Sequence, residues 1–326
     1  MSKREKRNEL VLRYGFFVLM LICMLLASFR PDFGGVNGVM NGNLAIWYFA
    51  VPLTYLEAGL SFSPSSLYIA LSNGYLQIFV LCFVYILMPL LIRVGTCLLT
   101  YAGVNIWLLK GMEVLYCMPP PFSTGLVLSR LADADLPTSI VTTLTSYFVG
   151  LFLSPFLLYI MLGASTAPFV GVNVRELLLS TLIPLGIGGI LQPATTKLNI
   201  CIGPRIAWLP QGLLLLTAYH WFCDALSADA SSLQAVDILL CVFSETCIEQ
   251  LIVAWLCWVL CSRWLPRGVL LAALFTTTHK SVGLGGWLLR GAYHGSAHGP
   301  SVTLPLSVLP VAQLLLGSLL ANWMAP

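Results

Sequence analysis

Charged side chains are the scarcest class in this sequence: they make up 9% of its 326 residues, against 58% that are hydrophobic. A soluble domain of that length needs a polar surface this chain does not have. The ten cysteines never form a Cys-x-x-Cys pair, which removes the usual zinc and redox pairings and leaves them as small hydrophobes in apolar stretches. No Asn-x-Ser/Thr occurs, so no N-glycan site marks a lumenal loop. Neither Gly-x-Ser-x-Gly nor His-Glu-x-x-His is present, and with them go two common hydrolase designs; a non-enzymatic protein is expected. No low-complexity tail or coiled-coil run breaks the pattern, and no basic groove accompanies the net charge of +3, so no nucleic-acid partner is implied.

What is there instead is apolar length. Mean hydropathy is +0.90, and hydrophobic stretches recur along nearly the whole chain at about 16 to 20 residues, enough to cross a bilayer core. The expected spans are 14–29, 44–60, 74–93, 106–132, 138–162, 177–193, 206–226, 237–262, 269–290 and 302–323. This is an all-α polytopic membrane protein of ten helices with short connections, and the bilayer is its first partner. The segment after Met1–Arg7 ends without a small-x-small cleavage site and reads as a retained helix. With the N-terminus inside, Lys and Arg in the connections divide ten to four in favour of the inner side, so both termini are expected in the cytoplasm.

The chain divides into residues 1–165 and 166–326, five spans each, and an odd number requires the halves to enter the membrane from opposite sides as inverted repeats. The fourth span of each half is interrupted. In the first, Pro119, Pro120 and Pro121 remove three N–H donors and leave the carbonyls of residues 115 to 117 without helical partners. In the second, Thr276-Thr-Thr278-His279-Lys280-Ser281 leads into Gly283, Gly285 and Gly286. An unsatisfied backbone group in hydrocarbon costs several kcal/mol, so matched breaks point to a central site where protein groups or water reach them.

Ionisable residues within spans point the same way: Glu57, Lys110, Glu113, Asp224, Glu245, Glu249 and Lys280. Lys110 and Glu113 are three apart, the spacing of a self-satisfied helical pair. Glu245 and Glu249 are four apart, the spacing of either a cation site or a structural pair. Lys280 has no local partner. It could pair with an acid on another helix, hold an anionic substrate, take the place of a bound cation or relay a proton. Asp224 reads as an interfacial residue. His294 and His298 have metal-compatible spacing, but no carboxylate or cysteine accompanies them.

Several segments carry a family resemblance: Asn105-Ile-Trp-Leu-Leu-Lys-Gly111, Cys117-Met-Pro-Pro-Pro-Phe-Ser-Thr124, Phe222-Cys-Asp-Ala-Leu-Ser227, Thr277-Thr-His-Lys-Ser281 and Leu309-Pro-Val-Ala-Gln313. In these the chain resembles the bile acid:sodium symporter family, in order and over almost its whole length. The resemblance implies a panel domain of spans 1, 2, 6 and 7 and a core domain of spans 3–5 and 8–10. Spans 4 and 9 would unwind where they cross, with a small organic solute between panel and core. It implies a sodium site at Gln77, Ser123, Thr124, Ser139 and Thr143, and sodium as coupling ion with no other cofactor. It also implies a Golgi, other secretory-pathway or plasma-membrane location and a part in calcium and glycoconjugate homeostasis. Two departures stand out: prolines where relatives use glycines, and Thr276 and Lys280 where they place an acid and a glutamine. A fixed ammonium opposes a second sodium ion. The expected function is secondary-active transport of a small, anionic organic solute, with a non-transporting regulatory protein on the same fold as the alternative. On this reading Lys280→Ala removes transport without preventing folding.

Overall fold

The computed structural model describes residues 3–35, 38–41, 45–61, 64–162, 178–197, 208–227, 241, 249–281 and 298–325. These residues form helices α1 (Lys3–Phe29), α2 (Pro31–Gly34), α3 (Val51–Ser61), α4 (Pro64–Ser72), α5 (Gly74–Cys82), α6 (Met88–Tyr101), α7 (Ile106–Tyr116), α8 (Phe122–Leu131), α9 (Leu136–Leu162), α10 (Ile183–Lys197), α11 (Leu209–Ser227), α12 (Leu251–Cys261), α13 (Arg267–Thr278) and α14 (Gly299–Met324). Wider π-helical turns at Ile46–Ala50, Phe83–Leu87 and Leu178–Leu182 lead into α3, α6 and α10. Among the described residues there is no strand.

Among the described residues three continuous helices are long and apolar enough to cross a membrane: Gly74–Tyr101, Leu136–Met161 and Ser301–Met324. Shorter apolar helices cover Gly15–Phe29, Leu179–Ala194, Leu251–Cys261 and Arg267–Thr278. The outward faces are apolar: Leu25, Leu26, Phe29, Ile78, Ile86, Leu90, Leu98, Phe152 and Ile190 are all exposed. Thr142, Ser146, Thr276, His279 and Lys280, by contrast, are buried. That inverts the distribution of a soluble protein and suits hydrocarbon solvent.

The boundaries differ from the sequence expectation in instructive places. The first helix begins at Lys3 rather than residue 14, because a helix carries its hydrogen bonding across the basic segment whatever the hydropathy there. The third span runs on to Tyr101, past residue 93. Pro64–Ser72, expected as a connection, is a short helix packed on α9. Of the expected eighth span only Cys241 and residues 249–262 fall within the described residues.

Small residues allow the close approaches. A Cβ at Gly59 of α3 would collide with Leu185 O and sit 2.9 Å from Gly188 Cα, so α3 and α10 pack backbone to backbone. Gly111 does the same for α7 against Val302 O of α14. α1 lies along α11, α9 along α13, and α12 along α13. Gly59→Ala is therefore expected to cost about 1–3 kcal/mol through overpacking. Gly186→Ala, where a Cβ meets nothing within 4 Å, is expected to be neutral or to stabilise by up to about 1 kcal/mol. Thermal melting of the two variants in detergent measures the contrast.

Candidate functional site at the two helix breaks

α7 is started by Asn105, whose Oδ1 accepts the Trp107 N–H at 2.9 Å. It ends because three prolines follow. Its last turn tightens: Cys117 N donates to Glu113 O and Val114 O, and Met118 N donates to Leu115 O at 3.0 Å. Of the carbonyls expected to be orphaned, at 115 to 117, that of Leu115 is thus satisfied within the helix. Pro121 is extended, with φ −74° and ψ 143°, and α8 starts at once after it. All three prolines are buried. Gly150 of α9 makes room for them, since a Cβ there would stand 3.0 Å from Pro119 Cβ.

α13 ends in a run of hydroxyls that bond backwards. Thr276 Oγ1 donates to Ala272 O at 2.9 Å, and Thr277 and Thr278 donate to Leu274 O at 3.1 and 2.8 Å. His279 then turns extended. Its ring packs against Gly317, where any side chain would collide with it, and its nitrogens lie 3.2 Å from Phe275 O and from Gln313 O. Gln250 donates to Gln313 O at 3.2 Å, and Gln313 Oε1 accepts the Lys280 N–H at 3.1 Å.

The two unwound segments meet. The Ser281 N–H donates to Pro119 O at 2.8 Å, and Lys280, only 1% exposed, sends Nζ to Met118 O and Val84 O, each at 3.1 Å. Both carbonyls lack a helical donor, and proline lies behind each. The three residues after Met118 have no N–H groups, and the extended backbone at Pro121 breaks the helix before Phe122, whose N–H would be the α-helical donor. Val84 lies in the π-helical turn, where Met88 N is given to Phe83 O and the next residue, Pro89, has no proton to offer. One ammonium therefore occupies a position between two proline-orphaned carbonyls. Of the roles open to Lys280 in the sequence, this geometry is that of a tethered cation; among the described residues no carboxylate lies within ion-pair distance of it.

The expected sodium ligands divide. α8 and α9 bring Ser123, Thr124, Ser139 and Thr143 onto facing, buried surfaces, and Thr143 Oγ1 lies 3.5 Å from where a Cβ of Gly125 would stand. Thr124 Oγ1 and Thr143 Oγ1 are buried without a hydrogen-bond partner, as is Ser146 Oγ. Ser139 Oγ is engaged, accepting from Ser129 Oγ at 3.0 Å and donating to Gly125 O at 3.3 Å. Gln77 spends its amide on Ala70 O at 3.4 Å, one turn before its own helix. Thr142 Oγ1 and Thr276 Oγ1, 3.2 Å apart, tie α9 to α13.

The intramembrane charges are arranged otherwise than their spacing suggested. Glu113 does not pair with Lys110. It accepts from Arg93 at 2.6 Å and Thr96 Oγ1 at 2.8 Å on α6, while Lys110 Nζ sits 4.4 Å over the Trp107 ring. A residue three positions away on the same helix competes with a whole neighbouring helix, and here the neighbour offers the better geometry. Glu57, 1% exposed, holds Arg130 through both carboxylate oxygens at 3.0 Å and accepts from Ser61 Oγ. Arg130, counted as an inner-loop charge, thus ends α8 as half of a buried ion pair. Glu249 is buried, and its carboxylate lies against Gly95. Glu245 and His294 lie outside the described residues, and His298 stacks on Trp107 with ring centroids 4.1 Å apart. Gln250, Gln313, Val84 and Arg93 were not singled out from the sequence. Pro89, five residues after Val84, was the available signal for one of them.

Apolar outer faces around a buried polar centre, with helices interrupted and meeting there, define an integral multi-pass membrane protein of the transporter class. The chain belongs to the SBF-like CPA transporter family, whose model matches residues 14–326. It is 29% identical over 316 residues to sodium/bile acid cotransporter 7 of Xenopus tropicalis, covering 95% of this chain and 92% of that protein. It is also 29% identical over 325 residues to the Rattus norvegicus protein of the same name, covering 97% and 95%. Solute carrier RCH1 of Candida albicans is 24% identical over 250 residues, 70% of this chain and 61% of that one. These relatives bear the names of transporters rather than enzymes.

Replacing Lys280 by Met, similar in shape but without donors, leaves Val84 O and Met118 O unsatisfied at about 1–3 kcal/mol each. Lys280→Met is therefore expected to lower the melting temperature in detergent clearly, which revises the expectation that Lys280→Ala leaves folding intact. Lys110→Met should cost no more than about 1 kcal/mol, the scale of an exposed cation–π contact.

Proposed function

We propose that this protein is a secondary-active transporter of a small, anionic organic solute, working by relative motion of a panel and a core domain. The observation that carries the proposal is the crossing itself, where Ser281 meets Pro119 and the Lys280 ammonium joins three separate stretches of chain. Unwound carbonyls and half-helix ends at mid-membrane are what carriers of this kind use to handle ions and charged solutes. The packing supports the division implied by the resemblance. α3 lies on α10 and α1 on α11, as panel spans 1, 2, 6 and 7 would; α7, α9, α13 and α14 gather around the crossing. Two inverted five-span repeats, ten spans in all and both termini cytoplasmic are part of the same proposal. So are a Golgi, secretory-pathway or plasma-membrane location and a part in calcium homeostasis.

The anionic character of the solute follows from charge. When protonated, the Lys280 amine places a positive charge in a low-dielectric centre, where it attracts anions over several ångströms. The buried hydroxyls of Thr124 and Thr143 fit a hard monovalent cation better than they fit their present surroundings, because each otherwise leaves an acceptor unused. With Ser123 beside them they would hold a single sodium ion, while Lys280 stands where a second would need the carbonyls of Val84 and Met118. The stoichiometry expected is one coupling ion, not two. Glu57 and Arg130 join α3 to α8, hence panel to core, and that ion pair must part whenever the domains move.

Reconstituted protein in liposomes, offered a panel of organic anions with and without a sodium or proton gradient, tests the proposal. Saturable uptake driven by sodium is expected, and Thr124→Val with Thr143→Val should abolish the sodium dependence while leaving the protein folded. No uptake under any gradient, alongside tight binding of a protein partner, would favour the regulatory alternative. Flux without saturation or coupling would make it a passive channel.

A further inference from the structure

A second feature lies away from the crossing, at the other end of α13. Between α12 and α14 runs a groove of about 500 Å³, within the range of roughly 300–1,000 Å³ typical of small-molecule sites. It is lined by Leu251, Ala254, Leu320 and Met324 and by three tryptophans, Trp255, Trp258 and Trp323, of which Trp255 and Trp323 are 63% and 79% exposed. At one end sits Arg267, the first residue of α13, whose guanidinium donates to Met324 O at 2.6 Å. A guanidinium has five donors, so it can hold that carbonyl and an anion together. Arg263, exposed on the connection between α12 and α13, stands four residues before Arg267 and adds a second positive charge to that connection. The nearest acidic residue of the neighbouring α8–α9 connection is Asp135, whose N–H bonds to Gly268 O. Its carboxylate is committed to the Thr138 N–H at the start of α9.

We propose that this groove is a binding site for one anionic phospholipid, its phosphate on Arg267 and Arg263 and an acyl chain along the floor between α12 and α14. Three properties select that occupant over other amphiphiles. The groove opens on the lipid-facing side of helices that carry other exposed apolar residues, Ile252, Val259 and Leu319 among them. Three tryptophans line it, the residues that favour the place where a membrane meets water. Arg267 lines it too and Arg263 lies four residues before Arg267, a pair complementary to a phosphate and to the anionic surface of a cytoplasmic leaflet. The leaflet follows from the proposed orientation with both termini inside, but the site does not depend on it. Because Arg267 and Thr278 begin and end a single helix, a phosphate held at one end bears directly on the segment that supplies Lys280 to the crossing.

The protein reconstituted in vesicles with the same lipid mixture in both leaflets provides a test independent of orientation. Intrinsic tryptophan fluorescence is quenched with brominated phosphatidylserine or brominated phosphatidylcholine in increasing proportion. The brominated anionic lipid is expected to quench at roughly tenfold lower mole fraction, as two arginines near a charged surface imply. The preference should vanish in Arg263→Gln/Arg267→Gln, and in the wild type at high salt, which keeps the test valid should the double variant not fold. It should also vanish in Trp255→Phe/Trp258→Phe/Trp323→Phe. Equal quenching by the two lipids in the wild type would reduce the groove to ordinary lipid contact and overturn the proposal. A preference that survives removal of the three tryptophans would place the anionic-lipid site elsewhere and overturn it equally.

Discussion

The fold depends on how backbone carbonyls are satisfied where prolines have taken their donors away. In hydrocarbon there is no water to substitute, and an orphaned carbonyl must find a protein donor or the segment cannot stay at that depth. Here two orphans, at Val84 and Met118, share a single ammonium. The long, flexible stem of lysine reaches between them from a third segment, and its compact head presents three donors. One side chain thus joins the α5–α6 helix to both breaks. The Ser281–Pro119 bond beside it fixes their register.

Around that point many polar groups are engaged by a specific neighbour, with different chemistry each time; the hydroxyls of Thr124, Thr143 and Ser146 are exceptions. Hydroxyls of Thr54, Thr142, Thr217 and Thr276 bond back to their own helices, which lets polar residues lie buried without a distant partner. Glu113 is held by Arg93 and Thr96, and Glu57 by Arg130. Removing one partner of a buried ion pair typically costs about 3–5 kcal/mol, more than the pair itself stabilises, so such pairs fix an arrangement more than they strengthen it. The Glu57–Arg130 pair fixes the position of α3 against α8, and these are the helices a panel-and-core motion would separate.

The breaks at 119–121 and 279–281 were legible because prolines, repeated threonines and a lone lysine within apolar spans are backbone statements that do not depend on neighbours. The helices were legible from apolar length, with ends off by several residues where a helix continues past its hydrophobic part. Partners were not legible. Spacing along one helix suggested Lys110 for Glu113, but an i,i+3 contact is weak and was displaced by Arg93 of an adjacent helix, twenty residues earlier. The π-helical turn that frees Val84 O has no hydrophobic signature at all; only Pro89 betrays it. Gln250 and Gln313 reach the crossing from α12 and α14, and long-range packing alone brings them there. Gln77, placed at the site by resemblance, bonds instead to Ala70 O next to its own helix start.

Lysine at the crossing also bears on what the coupling ion can do. A mobile cation that coordinates unwound carbonyls lends them its charge only while bound, so leaving and binding can drive the two ends of a transport cycle. A lysine ammonium is tethered to the chain and cannot leave. On the proposed mechanism the segments it joins stay together, and motion would be accommodated elsewhere. The places left for it are the α3–α8 interface, closed by Glu57 and Arg130, and the buried hydroxyls of Thr124 and Thr143, which are unpartnered in this structure. On the proposed mechanism, rigidity at the crossing would move the mobile part outward, to the boundary between the proposed panel and core.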